Sequence, residues 1–91
     1  MRLDQYYNVD KARLTYRVLD NEAVILDLNS GYYYSLNETG TLAWQALCEE
    51  KSFKDILAIL EQKYPLSKQR LTEDLIALLE DLEHEKLIGK K

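Results

Sequence analysis

The sequence has 91 residues, of which 46% are hydrophobic, and this supports one domain around one core. A formal net charge of -4 and a pI near 4.9 argue against a nucleic-acid partner, because phosphate backbones are bound through lysine and arginine. The single cysteine, Cys48, excludes an intramolecular disulfide and any multi-cysteine metal site. It lies in an apolar helical pattern and is predicted to be a small core residue.

The first residues do not predict a signal peptide. No apolar run reaches the roughly 18–20 residues that span a bilayer, and residues 1–5 lack the apolar segment of a signal peptide. We therefore expect a cytoplasmic protein with no membrane partner. Residues 1–12, with Tyr6 and Tyr7 among polar neighbours, are interpreted as an arm of uncertain order, and residues 13–91 as a single domain.

Three segments rich in β-branched and aromatic residues predict strands at residues 14–19, 23–28 and 32–36. Asp20 and Asn21 tolerate positive φ and fit a two-residue turn, and residues 29–31 fit a second turn. Short connections favour neighbouring strands, so an antiparallel meander is expected. Alternation places Tyr33 and Ser35 on one face of the third strand and Tyr32 and Tyr34 on the other.

Three helices are predicted after the sheet, over residues 38–50, from Ser52 to Pro65, and from Ser67 to about residue 85. Asn37 or Thr39 can cap the first helix, Ser52 opens a capping box with Asp55 for the second, and Ser67 can cap the third. In the third helix, leucines recur at spacings of four, three and four. This stripe comprises Leu71, Leu75, Leu78 and Leu82.

The chain lacks the residue sets that catalysis requires. His84 is the only histidine, and one histidine with one cysteine does not make a nucleophile–base set. Three dispersed glycines cannot make a phosphate loop, and the acidic residues are spread along helices as on a solvated face. We therefore expect a binding module with no catalytic residues, no metal site and no cofactor.

The order of elements predicts an α+β, winged-helix-turn-helix-like fold, with a three-stranded antiparallel sheet followed by three helices. Many proteins of this shape place a basic helix in the DNA major groove. From residue 67 to residue 91 this chain carries five basic and six acidic residues. Phosphates would repel the middle of that helix, so we expect the shape without the DNA-binding function.

Several motifs of the chain resemble the PqqD family. They are Leu26-Asp27-Leu28, Gly31-Tyr32-Tyr33-x-x-Leu36-Asn37-x-Thr39-Gly40, Trp44, Asp74-Leu75-x-x-Leu78-Leu79-x-x-Leu82 and Leu87-Ile88. The resemblance covers residues 14–89. Two positions depart from the family pattern: Glu50-Lys51 replaces a common Asp-Gly, and Lys86 replaces a common glycine.

The resemblance implies a peptide-binding adaptor for the leader of a ribosomally made precursor peptide. In the family the leader adds as a strand to the third strand and lies against the third helix. The adaptor then presents it to a separate modifying enzyme: a radical-SAM protein in the biosynthesis of the quinone cofactor PQQ, or a protease and a cyclase in lasso-peptide pathways. This chain is similar to both kinds of adaptor.

The expected site combines a strand edge with one flank of the third helix. A peptide that adds to the strand edge is held mainly by backbone hydrogen bonds. On the helix, Ile76 and Leu79 make the larger apolar flank and are assigned to the core, so the groove is placed on the Asp74 side. The predicted peptide-binding residues are Tyr32, Tyr33, Tyr34, Ser35, Leu71, Asp74, Leu75 and Leu78.

Other interpretations of the same residues stay open. The tyrosines also fit a half-buried sheet with amphipathic rims, and Asp74 also fits a solvated helix acid. The alternative functions are a winged-helix transcriptional regulator and a non-catalytic subunit that dimerises through its free edge.

Overall fold

A computed structural model of the protein describes residues 2–91. The strands are β1 (Tyr7–Asn8), β2 (Leu14–Leu19), β3 (Glu22–Asp27), β4 (Tyr33–Leu36) and β5 (Gly89–Lys90), and the helices are α1 (Glu38–Cys48), α2 (Phe53–Lys63) and α3 (Lys68–His84). A 3-10 turn, Arg2–Asp4, precedes β1. β2, β3 and β4 form an antiparallel sheet in that order, which confirms the predicted α+β fold.

The two turns of the meander explain where its strands begin and end. Asp20 and Asn21 have φ of 52° and 66°, as the predicted β2–β3 turn requires. In the second turn the Asp27 carboxylate accepts the backbone N–H of Asn29 at 2.9 Å, and Gly31 has φ of 80°. This local bonding ends β3 at Asp27, so β3 is shifted by one residue from the prediction. It also leaves Tyr32 outside β4.

The sheet packs on the helices through one face only. Ala23 and Ile25 of β3 are fully buried on that face, and Tyr16 of β2 meets the ring of Trp44 edge-on with ring centres 6.0 Å apart. Val24 and Leu26 alternate with them and lie on the opposite, solvent-facing side. Both faces of β3 are therefore apolar, although only one is covered.

Each helix begins at a side-chain cap. Asn37, rather than Thr39, caps α1 by accepting the Gly40 N–H at 2.8 Å. Ser52 and Asp55 form the predicted capping box of α2, and Ser67 caps α3. These caps satisfy backbone N–H groups that a helix leaves unpaired at its start.

Two helices end at residues with left-handed backbone. Glu50 after α1 has φ of 63°, and Lys86 after α3 has φ of 62°. Glycine is usual at such positions because a Cβ is strained there. The two departures from the family pattern therefore place side chains where the backbone favours glycine.

Replacing Lys86 with glycine is expected to raise the free energy of unfolding by about 1 kcal/mol, because it relieves left-handed strain. Urea denaturation measures the change. Lys86→Ala is the matched control, since it removes the same side chain but keeps the Cβ. An equal gain in both variants would contradict this explanation.

Residues 2–12 are packed against the domain. Tyr7 is 2% exposed, and β1 pairs with β5 through Tyr7↔Lys90 and Asn8↔Gly89. The carbonyl of Gln5 accepts the Phe53 N–H at the start of α2 at 2.9 Å. The segment that the sequence left as an arm of uncertain order is thus joined to both α2 and the C-terminal strand.

On α3 the buried residues differ in one position from the predicted stripe. They are Leu71, Leu75, Leu79 and Leu82. Leu79 is fully buried, whereas Leu78 is half-buried at the margin of the core. Leu87 and Ile88 after the helix are also buried. Among residues 2–91, none of the helices has the length and apolar character needed to cross a membrane.

Candidate functional site

The outer edge of β4 presents unpaired backbone groups. Asp27 donates its N–H to the Tyr32 carbonyl at 2.9 Å, and Tyr34 lies opposite Ile25 in the same register. In an antiparallel pair, residues that bond the partner strand alternate with residues whose N–H and C=O point away from it. The N–H and C=O of Tyr33 and Ser35 therefore point to the open side, where no other strand of residues 2–91 pairs with β4.

A buried threonine fixes the end of β4. The Thr41 hydroxyl accepts the Ala23 N–H at 2.8 Å and donates to the Leu36 carbonyl at 3.4 Å. It thereby bridges β3 and β4 where their direct pairing ends. Gly40 beside it leaves room for the strand, since a Cβ there would lie 3.3 Å from the Leu36 Cβ. The chain consequently turns from strand to helix with β4 held against α1.

Replacing Thr41 with valine is expected to lower the free energy of unfolding by about 1–3 kcal/mol, because the buried Ala23 N–H would lose its acceptor. Valine keeps nearly the same shape, so packing changes little. Thr41→Ser keeps the hydroxyl and should lose less. Thermal unfolding of both variants tests this, and equal losses would show that the methyl group matters more than the hydrogen bonds.

The turn before β4 is held by Asp27. Burial acts to raise the pKa of this carboxyl, but hydrogen bonds from the backbone of Asn29 and Ser30, with the nearby Arg13 charge, outweigh it and lower the pKa. Arg13 Nε lies 3.8 Å from the carboxylate, and Arg13 Nη2 donates to the Lys86 carbonyl after α3. Asp27 therefore stays ionised and links the turn to the C-terminal end of α3.

A second link joins β4 to α3. A side-chain hydrogen bond with Glu85, the residue that caps the end of α3, raises the pKa of the Tyr34 hydroxyl, and partial burial adds to the shift. Tyr34 and Leu36 are half-buried against the core, whereas Tyr33 and Ser35 are exposed. The predicted division of the strand into two faces is thus present, with Tyr34 on the α3 side.

The α3 residues predicted for the groove fall into two groups. Leu71 and Leu75 are buried, at 2% and 1% exposure, so they support the helix but offer a peptide almost no surface. Asp74 is exposed and Leu78 is half-buried, and at 100° per residue both lie on the same flank as Glu85. Because Glu85 meets Tyr34, this flank is the one directed toward β4.

Asp74 already has a neighbour of opposite charge. Its carboxylate lies 3.9 Å from Arg70 Nε, one helical turn earlier, and both side chains are more than half exposed. Exposed pairs of this kind contribute little to stability and exchange readily with solvent. Asp74 is therefore free to take another cation, although Arg70 competes for it.

The predicted peptide site also includes Tyr32, which lies just before β4. Its side chain is 71% exposed, and its N–H donates to the Ser30 hydroxyl at 3.2 Å. Its carbonyl is bound by Asp27, so Tyr32 offers its ring, and not its backbone, to a strand added at this edge.

Sequence reasoning missed two surface features. One is the exposed outer face of the sheet around Val24 and Leu26. The other is a cleft of about 470 Å³ at the β2 edge, between Tyr16, Leu42 and Ile59. The unbroken apolar run at residues 23–26 of β3 signals two apolar faces, and the sequence alone did not show which face the helices cover.

The histidine and the cysteine of the chain lie on different helices, His84 at the end of α3 and Cys48 at the end of α1. His84 is exposed, and Cys48, predicted in the core, is half-buried because it lies at the α1 margin; burial raises the pKa of its thiol. Residues 2–91 contain no group of three or more histidine, cysteine or acidic side chains placed to hold a metal ion.

Comparison with solved structures gives two close matches in fold. One is TbiB1 in complex with the TbiA(beta) leader peptide, at 25% identity and a TM-score of 0.81, covering 89% of this chain and 94% of that one. The other is a lasso peptide synthetase B1 complexed with the leader peptide, at 26% identity and a TM-score of 0.79, covering 90% and 95%. Among curated proteins, none matches the sequence significantly.

The family comparison agrees with the motifs around β4 and α3. The model for coenzyme PQQ synthesis protein D matches residues 22–88, a span that runs from β3 to the buried Ile88. This span contains the open edge of β4, the Thr41 bridge and the whole of α3. The chain belongs to the PqqD family.

Proposed function

We propose that this protein captures the leader of a ribosomally made precursor peptide by strand addition at the open edge of β4. The observation that carries the proposal is the pair of outward-facing residues, Tyr33 and Ser35, whose four backbone groups match those of an extended peptide. Family membership and two similar structures that hold leader peptides support it.

The proposed complex places alternate leader side chains on two sides of the sheet. A leader residue opposite Tyr34 points to the α3 side, toward the flank that carries Glu85 and, about two and three turns earlier in the helix, the half-buried Leu78 and the exposed Asp74. Leader residues opposite Tyr33 and Ser35 point to the outer face. The inward position therefore suits an apolar residue, with a basic residue nearby in the leader for Asp74.

The proposed role ends with delivery and includes no chemistry. The single histidine and the single cysteine lie at the ends of two different helices, α3 and α1, and we propose that a separate enzyme modifies the precursor. One of the two similar structures is named as a lasso peptide synthetase B1, and this supports the enzymes of a lasso-peptide pathway as partners over a radical-SAM protein. The purified chain is proposed to leave a precursor peptide unchanged when no enzyme is added.

Titration with a synthetic peptide tests the site directly. The peptide is a synthetic leader from a candidate precursor peptide, sought among the short reading frames near this protein's gene, and amide shifts are followed by NMR. We expect the largest shifts at Tyr33–Leu36 and along the Asp74 flank of α3. Shifts confined to α1 and α2 would contradict the proposed site.

Replacing Asp74 with alanine is expected to weaken binding of this leader peptide by about 1–3 kcal/mol, the value of a hydrogen bond to a charged group. The fold should tolerate the change, because alanine is favourable in helices and the Arg70 pair is exposed. Calorimetric titration gives the affinity.

Arg70→Ala is the matched control for Asp74→Ala. It removes the competing cation and should leave leader affinity equal or higher. If both variants bind the leader as the parent does, Asp74 is a solvated helix acid and has no part in recognition.

A further inference from the structure

The outer face of the sheet carries an apolar surface that the domain itself leaves uncovered. We define the outer patch as Leu19, Val24, Leu26 and Tyr33, which are 62%, 36%, 36% and 70% exposed. Leu26 and Tyr33 are directly paired across β3 and β4, and Val24 lies two residues from Leu26 on the same face. Leu19, Val24 and Leu26 also line one depression of about 430 Å³, with Arg17 beside them.

The outer patch is continuous with the proposed leader site. Tyr33 belongs to both, because its backbone faces the open edge while its side chain lies on the outer face. A strand added to β4 would carry the sheet one strand further. Its residues opposite Tyr33 and Ser35 would then lie on this face too, with Tyr33 and Ser35 between them and Leu26 and Val24.

The size of the patch limits what can cover it. The four side chains expose roughly 400 Å², similar to the largest apolar patch of an ordinary monomer. A stable protein–protein interface takes about 800 Å² from each partner. A second copy of this chain would find about half of that area here and would also carry a like net charge of -4. A partner protein that contacts both the patch and the bound leader can reach the area that a stable interface needs.

The geometry points to the outer patch as the docking surface for the modifying enzyme, which would contact the patch and the outward side chains of the bound leader together. This inference rests on the proposed function. The complementary enzyme surface is apolar with a carboxylate facing Arg17, which has no acidic group within ion-pair distance among residues 2–91. Because the leader completes the surface, the enzyme binds the leader-loaded protein more tightly than the free protein.

The test uses the double variant Val24→Lys/Leu26→Lys in a mixture with a precursor peptide whose leader the parent protein binds and the enzyme that modifies this precursor. Ala58→Lys/Gln62→Lys, on the exposed side of α2, is the matched control. Leader affinity is measured separately, by anisotropy of a labelled leader peptide. We expect the outer-patch variant to keep its leader affinity within about twofold and to lose at least tenfold in modification rate at limiting enzyme.

The outcomes separate the two proposals. A modification rate within twofold of the control overturns the docking surface, and so does a tenfold loss of leader affinity in the outer-patch variant. Sedimentation tests the remaining occupant. If the free parent is a dimer and Leu26→Lys makes it a monomer, the patch is the interface with a second copy, and the docking surface for the enzyme is overturned. If the parent binds no candidate leader, the proposed function falls and this inference with it. Should the lysine variant unfold, Val24→Thr/Leu26→Thr is judged by the same criteria.

Discussion

Replacing Ser35 with proline is expected to weaken leader binding by at least about 2 kcal/mol, or roughly thirtyfold, while the fold is retained. The Ser35 N–H points to the open edge, so proline removes no bond within the sheet. Proline is tolerated on an edge strand when its missing N–H faces solvent. Its ring occupies the space in which an added strand would pair, so more than one hydrogen bond is lost. Anisotropy of a labelled leader peptide measures the loss.

Two controls isolate the backbone effect. Ser35→Ala removes the exposed hydroxyl but keeps the N–H, and its affinity should stay within about threefold of the parent, well under 1 kcal/mol. Val18→Pro makes the same change on β2, where alternation also directs the N–H outward, at the opposite edge of the sheet. It should leave leader binding intact. If Ser35→Pro binds as the parent does, or Val18→Pro is equally weak, strand addition at β4 is wrong.

Replacing Tyr7 with alanine is expected to lower the free energy of unfolding by about 3–5 kcal/mol, the usual cost of deleting a large buried ring. Tyr7 is among the largest fully buried side chains and lies in β1, which pairs with β5. Domains of this size are stable by about 5–15 kcal/mol in total, so the variant should be close to unfolding. Urea denaturation followed by circular dichroism measures the change.

The neighbouring tyrosine is a matched control for Tyr7. Tyr6 is 45% exposed, and truncating it to alanine should change the stability by less than about 1 kcal/mol. Tyr7→Phe keeps the ring and should lose less than Tyr7→Ala. Equal losses for Tyr6→Ala and Tyr7→Ala would mean that the N-terminal segment does not pack as the structure shows.

Local sequence was sufficient for the elements that form through local bonds. The Asp20-Asn21 turn, the Ser52 capping box and the Ser67 cap each involve residues no more than three apart, and all occur where predicted. The family resemblance rested on short motifs spread from Leu26 to Ile88, each also local in the sequence, and the family match confirms it.

The sequence predicts less about where the peptide site lies on these elements. Alternation placed Tyr33 and Ser35 together, but the backbone direction of each residue depends on its register with β3. The 100° helical repeat alone does not decide whether Leu78 or Leu79 is buried in the core. Packing against the other elements buries Leu79 and leaves Leu78 at the margin. Assignment of Leu71, Asp74, Leu75 and Leu78 to the leader stays a prediction.

Contacts between distant parts of the chain were decided only by the folded structure. β1 and β5 have two residues each, too few for any periodic pattern, and they pair across nearly the whole chain length. Both faces of β3 are apolar, so the helices, and not the strand pattern, determine that Ala23 and Ile25 are buried while Val24 and Leu26 stay open. The left-handed backbone at Glu50 and Lys86 has the same origin: returning the chain to the core requires it, although the side chains there do not favour it.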